Sequence, residues 1–302
     1  QKTAYEIVSR DWSSDVCSSD LVHNSQINPF RSTGVGARTV KAGTVTEHYL
    51  SRLPQFFLTP GGACPYLPGK VERKVFARLI GPQATRLNDA LTHSGFRRSQ
   101  MIAYRPACDA CSACMSVRLV VDEFAPNRTM KRVQKRNNDI VRTVAPAEAT
   151  REQFALLQAY LDSRHIGGGM SDMGLFDYVA MVEETPVDTM LVEYRLKNER
   201  GGPGRLVGCA LTDTLQDGLS MVYSFFDPTL PQRSLGTHMI MDHVEAARAA
   251  GLPYVYLGYW VRGSRKMDYK VRFQPLEGLA GDRWQRLPVP APVKPDVPGF
   301  LK

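Results

Sequence analysis

The chain has 302 residues, 43% of them apolar and 23% charged, and carries a formal net charge of +8. That apolar fraction supports packed cores, while no run approaches the ~18 consecutive apolar residues of a membrane helix and no stretch reads as a secretory signal. The basic balance suits a polyanionic partner, although net charge alone also serves solubility.

Residues 1–21 stand apart. Asp11 to Leu21 reads as the translation of a common sequencing-adapter oligonucleotide, and Gln1 to Ile7 as another part of the same adapter, so this segment is set aside as an artefact. Residues 22–50 are expected to be a disordered leader, with Val45 a candidate read-through of a GTG start. What remains exceeds one ordinary domain of ~100 to 150 residues. It divides into an amino-terminal, cysteine-containing domain (51–145), a second domain (146–287) and a Pro-rich tail (288–302).

In the first of these, Cys108-x-x-Cys111-x-x-Cys114 brings three thiols into one loop, and Cys64 before Pro65 can supply a fourth. Four thiolates suit tetrahedral zinc or an iron–sulfur cluster; small residues packing a loop without metal are the plainer alternative. Downstream, Lys131, Arg132, Lys135 and Arg136, with Arg128 and Arg142, crowd a polar segment around Asp139 at helical spacing. Such a stripe tracks phosphates or is simply a solvated helix flank.

The second domain opens with an amphipathic helix over Glu152 to Arg164, ending at His165 and a run of glycines that suggests a mobile loop. His165 is a proton acceptor or a dipole-stabilising helix cap. Leu206 to Leu211 and Leu219 to Phe226 then read as a hairpin about the Gln216-Asp217-Gly218 turn, with Cys209 a core residue. After Asp227-Pro228, the Arg233-Ser234-Leu235-Gly236 turn starts a helix that runs to Gly251. Leu252 to Val261 is a nearly continuous apolar run, as expected of a strand covered on both faces. A helix opening after Arg-x-x-Gly offers unpaired N–H groups to a phosphate, yet the same four residues serve an ordinary strand-to-helix turn.

Taken together, Tyr223 to Pro228, Arg233 to Thr237, Gly251 to Trp260 and Lys266-Met267-Asp268-Tyr269-Lys270 resemble the bacterial aspartate/glutamate leucyltransferases, relatives of the eukaryotic arginyl-tRNA-protein transferases. Gln55 to Thr59, Cys64 to Gly69, Gly95 to Ser99 and Tyr104-Arg105-Pro106 to Cys114 extend the resemblance to about residues 52–287. It implies an α/β (α+β) architecture whose second domain has the GNAT-like N-acyltransferase fold. It further implies a cytoplasmic enzyme, without a membrane partner, that moves leucine from leucyl-tRNA to proteins beginning with Asp or Glu and so marks them for N-end rule degradation. Related eukaryotic enzymes hold an iron–sulfur cluster on amino-terminal cysteines, but Leu67 stands here where their second cysteine falls.

For that chemistry an aminoacyl ester is already activated, so direct attack by the acceptor amine is expected, without a covalent acyl-enzyme or an obligatory cofactor. Tyr223, Asp227 and Tyr256, beside the catalytic strands, are the catalytic candidates. Arg233, Ser234, Leu235, Gly236, Lys266, Tyr269 and Lys270, with the stripe Lys131, Arg132, Lys135 and Arg136, are candidates for aminoacyl-tRNA. An acidic acceptor calls for a cation, and Arg97, Arg98 and Arg105 are candidates. An arginine donor, an acyl-coenzyme A acetyltransferase and a metal-stabilised nucleic-acid module remain as alternatives.

Overall fold

Alternating and continuous apolar strands assemble into one large mixed sheet. The computed structural model describes residues 54–164 and 173–288. The adapter-like segment, the leader, His165 with its glycine loop and nearly all of the Pro-rich tail lie outside the described residues.

In chain order the first elements are β1 (Phe56–Leu58), β2 (Gly62–Ala63), β3 (Val71–Glu72), β4 (Lys74–Arg78), α1 (Ala84–His93), β5 (Arg97–Ser99) and β6 (Ile102–Pro106). Then come β7 (Cys114–Val120), α2 (Arg128–Arg136), β8 (Ile140–Pro146), α3 (Arg151–Arg164), α4 (Leu175–Glu183), β9 (Thr189–Lys197), β10 (Pro203–Leu215) and β11 (Gly218–Phe226). The last are α5 (Leu235–Ala249), β12 (Tyr254–Val261), β13 (Leu276–Ala280) and β14 (Arg283–Arg286). Eight strands form a sheet in the order β14-β13-β7-β12-β11-β10-β9-β8, and a second sheet runs β1-β4-β6-β5. This is a mixed α/β fold.

The β10–β11 hairpin is antiparallel, and the expected strand–helix–strand unit is β11–α5–β12, whose strands pair in parallel. The 145/146 division runs through the large sheet, because β7 precedes it and β8 spans it. β7 lies between β12 and β13 and pairs antiparallel with both. Its fully buried Val117 and Leu119 belong to the same apolar cluster as Val255 and Leu276. Burying that row of side chains outweighs any tendency of the first half to fold apart.

Each face of the sheet is covered. On one, α5 packs Leu235, Met239 and Val244 into the main cluster, and α2 adds Met130 and Val133. On the other, Leu157 and Leu161 of α3 and Tyr178 and Val182 of α4 meet Leu191, Cys209, Leu211, Tyr223 and Phe225. α3 begins with a reciprocal cap: the Gln153 N–H donates to the Thr150 hydroxyl and the Thr150 N–H to the Gln153 side-chain oxygen. α2 is capped by Asn127, which accepts from the Met130 N–H.

Candidate active site

The parallel pairing of β11 and β12 lasts only from Gly218–Tyr254 to Ser220–Tyr256. Beyond it each strand carries a bulge. On β11, Thr212 faces Met221 and Leu211 faces Tyr223, so Val222 is the extra residue. On β12, Tyr256 faces Arg118 and Gly258 faces Val117, so Leu257 is the extra residue, with Gly258 at φ +69°. Bulges bend and twist strands, and two of them at this level let β11 and β12 part.

Into that opening comes Arg97, carried by β5 of the smaller sheet. Its guanidinium donates to the Val222 carbonyl and lies over Gly258, where a Cβ would come 3.1 Å from Nη1 and 3.3 Å from Cζ. Tyr259 sets the register of this delivery. Its hydroxyl is 2.9 Å from the Gly95 carbonyl and 2.9 Å from that of Tyr104, the residue that pairs with Arg97 across β5 and β6.

Lys270 is 3% exposed, and its Nζ donates to the Tyr259 carbonyl. Burial, and then the nearby charge of Arg97, hold its amine well below the usual ammonium range. The adjoining Tyr269 is 43% exposed as a residue, but its hydroxyl end is crowded. Burial and the neighbouring Tyr160 hydroxyl push it up to about 12, against the pull of Arg97. Tyr160 of α3 meets Phe226 edge-on at 5.1 Å between ring centroids. Phe226 in turn fills the space over Gly236, whose absent Cβ would lie 3.0 Å from the ring. A continuous run of side chains therefore joins the start of α5 to the opening.

At the start of α5, Ser234 takes the left-handed conformation at φ +51°, which costs a non-glycine residue free energy and recurs at ligand-holding turns. Leu235 is buried. The Arg233 side chain is turned away from any anion there, because it forks onto Asp139 at 2.7 and 2.8 Å. That hydrogen-bonded pair holds the Asp139 carboxyl below the usual range. What the turn has left to offer an anion is its backbone rather than Arg233.

The other candidates separate. Tyr223 lies beside the β11 bulge and is buried. Asp227 instead serves the strand end: it accepts from the Thr229 N–H at 2.8 Å and hydroxyl at 2.6 Å and pairs with Arg205. Burial opposes its charge, but Thr229 and Arg205 outweigh that and keep the carboxyl below the usual range. Tyr256 points to the paired end of the strands, where its hydroxyl donates to Asp217 at 3.0 Å and accepts from Arg118 at 3.1 Å. Arg98, one residue from Arg97 and so on the opposite strand face, forks onto buried Asp213 with Nε and Nη2, each at 2.6 Å. Arg105 lies outside, over the Phe96 ring at 5.1 Å, and donates to the Ser94 carbonyl. Lys266 is exposed.

Lys131, Arg132 and Lys135 of α2, with Arg128, line an open surface hollow. Arg136 leaves that group to donate to the Gln232 carbonyl, bracing the turn before α5. Cys64, Cys108, Cys111 and Cys114 line a second hollow, walled also by Glu72, Tyr104 and Tyr259. Burial, followed by the other three thiols, pushes Cys114 up to about 12. Their chemistry suits a thiophilic metal. Even so, among the described residues no group of three or more His, Cys, Asp or Glu is close enough to hold one.

Sequence reasoning missed Gly258 and Tyr160 as parts of the opening. An isolated glycine inside an apolar strand run was the available signal for a bulge or a close approach.

A family model described as "Arginine-tRNA-protein transferase, C terminus" matches residues 152–280, and its amino-terminal counterpart matches residues 62–132. An aspartate/glutamate leucyltransferase of Rhizobium leguminosarum bv. trifolii is 58% identical over 238 residues, covering 77% of this chain and 92% of the relative. One from Phenylobacterium zucineum is 58% identical over 240 residues, covering 80% and 93%. Among solved structures, L-PGS from Bacillus licheniformis is similar at 12% identity and a TM-score of 0.38, over 58% of this chain and 50% of that one, a likeness too loose to bear on fold or function. The relatives span nearly their whole length on a chain whose two halves both match, and the chain therefore belongs to the aspartate/glutamate leucyltransferase family.

Proposed function

We propose that the protein transfers leucine from leucyl-tRNA to the α-amine of proteins whose first residue is Asp or Glu, marking them for degradation. The observation that supports this reading is the opening between β11 and β12, where Arg97, Lys270 and Tyr269 gather and from which Tyr160 and Phe226 lead to the start of α5, the end expected to take an RNA terminus. The carboxy-terminal part is read as a GNAT-like acyltransferase and the enzyme as cytoplasmic. Among the described residues no helix is long and apolar enough to cross a membrane.

In the reaction the acceptor α-amine attacks the ester carbonyl of the leucyl group. A C–N bond forms, and the ribose hydroxyl of the tRNA leaves with a proton. With an unperturbed pKa of ~7.7–8.0, roughly a tenth of the acceptor amine is already neutral at pH 7, so positioning and desolvation can supply much of the rate. Lys270, whose ammonium form is disfavoured, is suited to take the amine's proton and return it to the leaving oxygen. Backbone groups at the Val222 bulge, with Tyr223 beside them, are the donors for the tetrahedral oxyanion. The exposed cations of α2 hold tRNA phosphates. The four cysteines enter as a structural zinc or iron–sulfur site, and no step passes through them; metal analysis after anaerobic purification tests that part.

Because the matching family model is described as an arginine-tRNA-protein transferase, arginine is the second donor to test. Purified protein is given charged leucyl-tRNA or arginyl-tRNA with peptides beginning with Asp, Glu, Lys or Ala, and product mass is read. A leucine adduct confined to Asp and Glu peptides is expected. Acylation from a thioester donor with every tRNA reaction blank would overturn the reading.

A further inference from the structure

Recognition of an acidic first residue needs a positive charge that is held still. Of the three arginines weighed for this role, Arg98 is committed to buried Asp213 and Arg105 lies on the surface over Phe96. Arg97 is the one brought between β11 and β12, next to Lys270 and Tyr269.

Two features keep it there. Tyr259 clamps the carbonyls of Gly95 and Tyr104, which fixes the strand that carries Arg97. Gly258 provides clearance, since a side chain on it would meet Nη1, Cδ and Cζ of Arg97 within 3.1–3.3 Å. Its φ of +69° also disfavours any other residue. A guanidinium stays charged at every working pH and presents its N–H groups in a planar fork that matches a carboxylate. We propose, resting on the transfer reading above, that Arg97 recognises the side-chain carboxylate of the acceptor's first residue and that Gly258 is the gap that admits it. Sites built to pair a polar group reject analogues lacking it far more strongly than apolar pockets reject a missing methylene, so Asp and Glu should both pass while Asn and Ala fail.

The experiment measures leucine transfer from charged leucyl-tRNA to peptides beginning with Asp, Glu, Asn or Ala, with the wild type, Arg97→Gln, Arg97→Lys, Gly258→Ala and Arg105→Gln. Arg97→Gln is expected to lower kcat/KM for the Asp and Glu peptides about 100-fold more than for the Asn and Ala peptides, mainly through KM, so that selectivity collapses. Arg97→Lys should restore part of the preference, and Gly258→Ala should reproduce the loss with Arg97 still present. A residue that merely supports the fold would lower all four rates together. An active Arg97→Gln enzyme that keeps the wild-type Asp-to-Ala ratio would overturn the assignment, as would transfer of the preference loss to Arg105→Gln. If Arg97→Gln does not fold, the ratio for Gly258→Ala decides the matter alone. Wild-type protein inert towards all four peptides would overturn the transfer reading and this assignment with it.

Discussion

Two arginines enter the large sheet beside tyrosines of β12, at opposite ends of its contact with β11. At the paired end, Arg118 lies 3.5 Å from the Tyr254 ring centroid and 4.3 Å from that of Trp284, and it pairs with Glu277 at 2.9 Å. Asp217 completes that group by accepting from Tyr256 and pairing with His93. At the open end, the guanidinium of Arg97 stands near Lys270, whose amine is held below the usual ammonium range by burial first and then by the charge of Arg97. The paired end matches opposite charges and so contributes stability. Burying an amine beside a fixed guanidinium works against stability, and a fold retains such an arrangement where a ligand is to be met.

Substitutions at the two ends should therefore have opposite signatures. The largest expected effect is on rate: Lys270→Met should lower kcat by about 10²- to 10⁴-fold, the usual contribution of a positioned proton acceptor, with KM and the unfolding midpoint near wild type. Single-turnover transfer at saturating leucyl-tRNA measures it, and an unchanged kcat would remove Lys270 from the chemistry. Arg118→Met should instead cost about 3 kcal/mol of stability by leaving Glu277 without its main partner, as read by denaturant unfolding, while the transfer rate of the folded fraction is kept. A selective loss of rate in that variant would erase the distinction between the ends. Replacing Lys131, Arg132 and Lys135 by Ala should weaken tRNA binding and flatten its salt dependence by roughly 0.7 in log–log slope for each phosphate no longer neutralised. An unaltered slope would return α2 to the role of a solvated flank. The smallest effect belongs to Tyr256→Phe, about 1 kcal/mol of stability for the missing hydroxyl's hydrogen bonds and no change in kcat.

Local chemistry made much of the fold legible. The turn at Asp217-Gly218 and the apolar runs about it announce β10, β11 and β12, and the spacing of Leu235, Met239 and Val244 announces α5. No such signal marks β7 as the strand between β12 and β13, because antiparallel partners more than a hundred residues apart leave no periodicity in either segment. The candidate site was legible by residue type but not by direction. Arg97 and Arg98 are neighbours on one strand, and strand alternation sends one into the opening and the other to Asp213. An acid at position 213 within an apolar strand was the sequence's hint that a buried partner existed. Tyr256 and Asp227 were credible from their position beside the catalytic strands, and nothing in the sequence announces the partners they meet, Asp217 and Arg118 for the first and Thr229 and Arg205 for the second.

The insertion of β7 between β12 and β13 bears on how this family can vary. A carboxy-terminal fragment lacking residues 114–120 would present two bare strand edges where a shared ladder should run, inviting self-association. The two matched halves are thus stitched into one weave, and grafting either onto a foreign partner would have to bring the missing thread along.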